Sequence, residues 1–202
     1  MNRKSRQFRY GFIFFLHVIV FIILYLFHIN AKYYGFESFL RIQPFELEDH
    51  NGEKFTEKDL DGKFHFLYFG FLHCTEVCPK GVSLLTRIAK QISDPDLRFV
   101  FVSIDPARDT KESLNTFIQN RDKRFIGLRD FEIRKIENFA GEFNLQFARE
   151  LFSKNNSAYN INHSSVIILL NKSLTKVIQY PEGLDDLDRI QKDFEKFKSN
   201  SD

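Results

Sequence analysis

Cysteine is scarce in this chain. The 202 residues include two, and both lie in the segment Cys74-Thr-Glu-Val-Cys78-Pro79, between the apolar run Phe64 to Phe71 and a helical pattern. That position predicts both thiols at a point where a strand meets a helix. Two sulfurs on one helical turn can close a disulfide or bind one soft metal ion from the same side, so the segment is either a redox couple or a metal site.

Tryptophan is absent, and neither sign of charge dominates. Phenylalanine occurs 25 times, which predicts a core filled with Phe side chains. The chain has 29 basic and 27 acidic residues and a formal net charge of +2. This near balance gives no reason to expect nucleic acid as a partner. The sequence has no internal repeat and no low-complexity tract.

The N-terminus lacks acidic residues before Glu37. An apolar stretch of 18 residues, Tyr10 to Phe27, is interrupted only by Gly11 and His17, and it just suffices to cross the hydrocarbon core of a bilayer. Four basic residues precede it: Arg3, Lys4, Arg6 and Arg9. The positive-inside rule therefore predicts a cytoplasmic segment over 1–9, a transmembrane anchor over 10–28, and export of the chain that follows, with the cysteines in an oxidising compartment.

Two other interpretations of this stretch are weaker. A cleaved signal peptide usually has an apolar core of about 7 to 15 residues and an Ala-x-Ala-like exit, which Ile29-Asn30-Ala31 matches poorly. A buried core helix of a soluble protein is disfavoured by the basic flank and by missing helix caps. Because no transit segment precedes the anchor, we expect a single-pass protein of the bacterial inner membrane, with its C-terminal domain in the periplasm.

The rest of the chain amounts to one domain. We predict a linker over 29–42 and a single domain over 43–202 that begins with a β-hairpin around Asn51-Gly52. Buried strands are predicted at 64–71, 98–104 and 166–170, with a further strand at 175–179, and helical patterns alternate with them. This order predicts an α/β fold with the thiols at the carboxyl end of a central strand.

Three separated motifs carry a family resemblance. They are Tyr68-Phe-Gly-Phe-Leu-His-Cys74-Thr-Glu-Val-Cys78-Pro79, Val102-Ser-Ile-Asp-Pro-Ala-Arg-Asp-Thr110 and Tyr159-Asn-Ile-Asn-His163-Ser164. In order and spacing, across about residues 43 to 198, they resemble the SCO/SenC family of membrane-anchored copper proteins. The resemblance implies a thioredoxin-like fold, a copper site formed by Cys74, Cys78 and His163, and a role in maturing the copper centre of cytochrome c oxidase.

The chain departs from the family pattern at three places. Thr75-Glu76 stands where the family commonly has Pro-Asp, and Asn162 stands where it has Asp. Neither change removes a ligand, although the loss of a carboxylate at Asn162 removes a possible hydrogen-bond acceptor beside the metal. Residues 127–130 keep part of a Gly-Leu-Thr-Gly stretch, and we interpret them as a loop.

The donor set fits copper without the family name. Soft thiolates select Cu(I), and imidazole suits Cu(I) or Cu(II). The alternative is a thiol:disulfide oxidoreductase in which Cys74 and Cys78 form a redox disulfide. Thioredoxin-type enzymes resemble each other in Cys-x-x-Cys and a facing cis-proline, whereas here three residues intervene and 162–165 contain no proline. A redox or copper sensor is a third possibility.

We therefore favour a metallochaperone that need not be an enzyme. It would deliver copper to the copper-bearing subunit of cytochrome c oxidase or to another copper chaperone, with thiol reduction of the acceptor as an additional activity. His73 is left out of the ligand set, because a residue next to Cys74 in an extended segment points to the opposite side. Asp105 and Arg108 are interpreted as part of an ordinary loop before a helix capped by Thr110.

Overall fold

The computed structural model describes residues 10, 12–23, 32–73, 78–151 and 159–200, with backbone alone for 78–79 and 150–151. The chain divides into two compact units, Met1–Tyr34 and Gly35–Asp202. In the first unit, residues 12–23 are helical. Among the described residues, no helix is both long enough and apolar enough to cross a membrane. The anchor over 10–28 lies partly outside these residues and stays a prediction.

The second unit alternates strands and helices. In the described residues, the elements are β1 (Phe36–Phe39), β2 (Glu46–Asp49), β3 (Lys54–Thr56), α1 (Glu57–Leu60), β4 (Phe64–Gly70), α2 (Cys78–Gln91), β5 (Leu97–Ser103), α3 (Lys111–Gln119), β6 (Phe125–Arg129), α4 (Ile133–Gly141), β7 (Phe147–Leu151), β8 (Tyr159–His163), β9 (Val166–Leu170), β10 (Lys176–Pro181) and α5 (Leu187–Ser199).

One mixed sheet organises this unit. Its eight described strands lie in the order β1-β10-β9-β4-β5-β6-β2-β3. The central strands β4, β5 and β6 are parallel, and the neighbours on either side join antiparallel. β7 and β8 pair with each other in a separate two-stranded sheet. The predicted α/β class is confirmed, with β4 as a central strand.

Phenylalanine fills the core, as its abundance predicts. Every residue of β4 is buried, as expected for a strand covered on both faces. Phe66 of β4 stacks on Phe99 of β5 at 5.8 Å between ring centroids, and Phe99 stacks on Phe125 of β6 at 5.1 Å. On the opposite face of β4, Phe69 lies 5.6 Å from Phe139 of α4. Helices therefore pack on both faces of the sheet.

The predicted hairpin and helix start are confirmed. Leu47 pairs with Phe55 across β2 and β3, and Gly52 in the connecting turn has a φ of +88°, a conformation that glycine adopts without strain. Thr110 caps α3, because its side-chain oxygen accepts a hydrogen bond from the backbone N–H of Ser113 at 3.2 Å.

The predicted linker over 29–42 is wrong in its second half. Residues Phe36–Phe39 form β1, which pairs antiparallel with β10 at the edge of the sheet. Three of its four side chains are exposed, so the segment shows no alternation of apolar and polar residues. A four-residue edge strand with one apolar residue on each face carries little sequence signal.

The interpretation of residues 127–130 as a loop is also wrong. β6 covers Phe125–Arg129 and pairs in parallel with β5. β8, Tyr159–His163, is not predicted from the sequence either. Its residues Tyr-Asn-Ile-Asn-His contain no apolar run, and in the described structure it pairs with β7 alone.

A buried histidine makes the stability of the domain depend on pH. His65 lies in β4, is fully buried, and pairs by register with Arg98 and Leu170. Burial lowers the pKa of its imidazole to about 3, because the charged form loses its hydration. The pKa of an unfolded histidine is about 6.5. Between about pH 3 and pH 6.5, the unfolded state therefore binds more protons than the folded state.

We expect the free energy of unfolding to fall as the pH drops below about 6.5, with a contribution from His65 of about 1.4 kcal/mol per pH unit. His65→Leu should remove this contribution and leave the slope above pH 7 unchanged. Urea unfolding of both proteins between pH 4 and 8 measures the slopes. Identical acid slopes would contradict the assignment.

Candidate metal centre

Two of the three predicted ligand positions lie among the described residues. His163 is the last residue of β8, and Cys78 is the first residue of α2. Cys74 and the thiol of Cys78 lie outside the described residues and side chains. Within the described part of the chain, no three His, Cys, Asp or Glu side chains form a group that could hold a metal ion. The ligand set stays a prediction.

Strand pairing places His163 near the end of β4, the strand that leads into the cysteine segment. β9 runs antiparallel to β4, with Tyr68 opposite Ile167. An antiparallel strand begins beside the point where its neighbour ends, so the residues that lead into β9 arrive at the carboxyl end of β4. The imidazole of His163 lies 5.8 Å from the Phe71 ring and 6.5 Å from the Tyr68 ring, edge-on to both.

The environment of His163 favours its neutral form. The residue is partly buried, and this desolvation lowers the pKa of the imidazole, although a contact with the carbonyl oxygen of Ser164 raises it. That oxygen lies 3.2 Å from Nδ1. A neutral imidazole is the form that binds metal ions.

Tyr68 connects His163 with the first turn of α2. Its fully buried ring lies against Gly81, where an added Cβ would come within 2.3 Å of the Tyr68 Cζ. Gly81 follows Cys78 by three residues on the same helix. Tyr68 is therefore a neighbour both of the first turn of α2, which begins with Cys78, and of the imidazole of His163.

A buried carboxylate holds the backbone that leads into Cys74. The backbone N–H of Leu72 donates to both oxygens of Asp109, at 3.2 and 3.0 Å, and the hydroxyl of Ser103 donates to Oδ2 at 2.7 Å. The Nδ1 of His73 lies 3.3 Å from Oδ1, in an imidazole that is 53% exposed. Burial raises the pKa of Asp109, and these hydrogen bonds oppose the rise.

A second buried carboxylate contacts β8. Asp105 is fully buried, and the hydroxyl of Tyr159 donates to its Oδ1 at 2.6 Å. Burial, followed by the hydrogen bond to Asp105, raises the pKa of Tyr159, so the phenol stays protonated and remains a donor. The interpretation of Asp105 and Arg108 as loop residues before a cap misses these contacts.

The sequence does contain a signal for these contacts. Tyr159 and His163 are four residues apart, so they lie on the same side of a strand. Asp105 and Asp109 follow a buried strand that is parallel to the one leading into Cys74. The pairing of β4 with β5 is required to recognise either relation as part of the site.

Residues 37–198 match the sequence model of the family described as SCO1/SenC. The chain belongs to the SCO1/SenC family. The SCO2-like protein of Rickettsia prowazekii is 36% identical over 132 residues, which cover 64% of each chain. Copper-bound Arabidopsis thaliana ScoI has a TM-score of 0.66 at 28% identity, covering 78% of this chain and 98% of that one. Yeast Sco1 with copper bound has a TM-score of 0.63 at 27% identity, covering 77% and 89%.

These structural matches confirm the thioredoxin-like fold. Membership of the family confirms the resemblance found in the three motifs, which lie between Tyr68 and Ser164 and therefore inside the matched region. The chain spans between 43% and 65% of the length of curated relatives that are 34% to 36% identical to it.

We expect Gly81→Ala to destabilise the domain by about 1 to 3 kcal/mol, because the new methyl group would overlap the buried Tyr68 ring. Gly141→Ala is the matched control. Gly141 is also helical, and an added Cβ there meets no heavy atom within 4 Å, so the change should be neutral or stabilise by up to about 1 kcal/mol. Urea unfolding measures both. Equal effects would contradict close packing between Tyr68 and α2.

Proposed function

We propose that this chain is a copper metallochaperone in which Cys74, Cys78 and His163 hold one copper ion for transfer. One observation carries the proposal: His163, on a strand distant in sequence, lies at the end of β4 that leads into both cysteines. Support also comes from the copper-bound structures of related Sco proteins from Arabidopsis thaliana and yeast.

The chemistry of the three side chains suits copper as cargo. Two thiolates favour Cu(I), and an imidazole binds copper in either oxidation state. Cys78 begins α2, and the partial positive charge of a helix N-terminus favours thiolate over thiol. The lowered pKa of His163 keeps its imidazole neutral. Cys78 and His163 therefore each have a local reason to be in the metal-binding form.

The proposed acceptor is the copper-bearing subunit of cytochrome c oxidase, or another copper chaperone, as the family resemblance implies. Copper passes to it by exchange of ligands, so no turnover chemistry is required of the chain. The same two thiols are suited to reduce cysteines of the acceptor before it receives copper.

Residues 10–28 anchor the domain in the bacterial inner membrane and place it in the periplasm. The apolar stretch and the four basic residues before it support this location. A domain held at the membrane surface meets a membrane-bound acceptor more often than a free domain does, because tethering raises its effective concentration.

Removing a ligand should weaken copper binding while the domain stays folded. We expect the reduced full-length chain to bind one Cu(I) by native mass spectrometry. Cys74→Ser, Cys78→Ser and His163→Ala should each lower the Cu(I) affinity by roughly 100-fold or more, since each removes a direct ligand. Loss of a group that only hydrogen-bonds to a ligand already lowers metal affinity by about 10- to 100-fold. Competition with a Cu(I) chelator measures the affinities.

His73→Ala is the matched control, because it removes an imidazole next to Cys74 that contacts Asp109. The Cu(I) affinity of this variant should stay close to that of the wild type. Wild-type affinity after His163→Ala would refute the three-ligand site. Absence of copper from the wild-type chain, together with disulfide exchange on a model substrate, would support the oxidoreductase alternative.

A reporter fused after Asp202 should be exported, since the basic residues all precede the apolar stretch. Carbonate extraction should leave the chain in the membrane, and the N-terminus of the purified protein should be intact. A processed form beginning near Lys32 would show that the stretch is a signal peptide.

A further inference from the structure

Arg108 joins the end of β5 to β8. Its Nε–H donates to Oδ2 of Asp105, and its Nη1 donates to the backbone carbonyl oxygen of Tyr159 at 3.1 Å. The guanidinium also lies 3.9 Å from the centroid of the Tyr159 ring. One side chain therefore holds both the main chain and the side chain of Tyr159.

The same guanidinium reaches the other side of the candidate centre. It lies 5.4 Å from the centroid of the Phe71 ring, and Phe71 in turn contacts the imidazole of His163. Arg108 is thus packed between Phe71, which follows β4, and Tyr159, the first residue of β8.

Two guanidinium groups face one buried carboxylate in this cluster. Asp105 is fully buried and faces Arg108 and, at 3.9 Å, Arg149 of β7. Arg149 also lies over the Tyr159 ring, with its guanidinium carbon 4.9 Å from the centroid. Removing one partner from a buried ion pair leaves the other group uncompensated, so these contacts are costly to break.

β8 depends on such contacts for its position. In the described structure it pairs with β7 and does not join the eight-stranded sheet. Tyr159 begins this strand and His163 ends it, and with Ile161 they lie on one side of it. Ile161 is buried. Contacts at Tyr159 therefore fix one end of β8, and His163 lies at the other end.

We propose that Asp105, Arg108 and Tyr159 are positioning residues that hold β8 so that His163 stays beside Phe71, at the carboxyl end of β4. This inference rests on the proposed copper site. None of the three is among the proposed ligands, and their effect on binding passes through His163. A purely structural role would instead change stability and would affect copper binding equally with and without His163.

The test is a double-mutant cycle on the full-length chain. Tyr159→Phe removes the hydroxyl that donates to Asp105 and keeps the ring under Arg108. We expect it to lower Cu(I) affinity about 10-fold, as is usual for groups that orient a ligand. In the His163→Ala background it should cause no further loss, because the ligand through which it acts is gone.

Tyr180→Phe is the matched control. The hydroxyl of Tyr180 donates to buried Asp193 at 3.1 Å, so the substitution removes a bond of the same kind between β10 and α5. Its copper affinity should equal that of wild type. Unchanged affinity in Tyr159→Phe, or an equal loss in both backgrounds, would overturn the proposal.

Hydrogen exchange of the copper-free chain provides a measurement that does not depend on the proposed function. Tyr159→Phe should raise amide exchange in β8 at least several-fold and leave β4 and β5 unchanged. Unchanged exchange in β8 would overturn the positioning role. A wild-type chain that binds no copper would instead refute the copper site, while the exchange result would still decide whether Tyr159 holds β8.

Discussion

The pairing of β4 with two neighbours of opposite direction is the constraint on which the candidate centre depends. Parallel strands end at the same edge, so Gly70 of β4 lies opposite Ser103 of β5. The chain toward Cys74 and the turn that contains Asp105 therefore leave the sheet side by side. Antiparallel β9 begins at that edge and brings His163 with it. Strand direction therefore brings three segments that are distant in sequence to one edge of the sheet.

Two buried aspartates at this edge contact different segments of the chain. Asp109 accepts hydrogen bonds from the backbone and hydroxyl groups that surround the exit of β4, and it holds the segment before Cys74. Asp105 is paired with cations and with the hydroxyl of Tyr159, and it contacts the strand that carries His163. Ser103 contacts both, since its hydroxyl donates to Asp109 and lies 3.3 Å from the backbone N of Asp105. The short segment 103–109 thus contacts both sides of the centre.

The proposed ligands differ in the support around them. Cys78 begins a helix packed on the main sheet, and Gly81 allows that helix to approach the Tyr68 ring. His163 ends a strand of a small sheet that is joined to β5 through side-chain contacts. The two described ligand positions therefore differ in how they are held, one by helix packing on the main sheet and the other by side-chain contacts.

The α/β order, the Phe-filled core, the hairpin around Gly52 and the motifs that identify the family could all be predicted from the sequence. They depend on local patterns of apolar residues, turn residues and spacing. The sequence did not reveal β1 or β8, whose side chains are largely exposed or polar and whose pairing partners are distant. Only the tertiary structure placed His163 beside Phe71 and brought Tyr159 onto Asp105. Those contacts follow from the direction and register of strands, which no local pattern encodes.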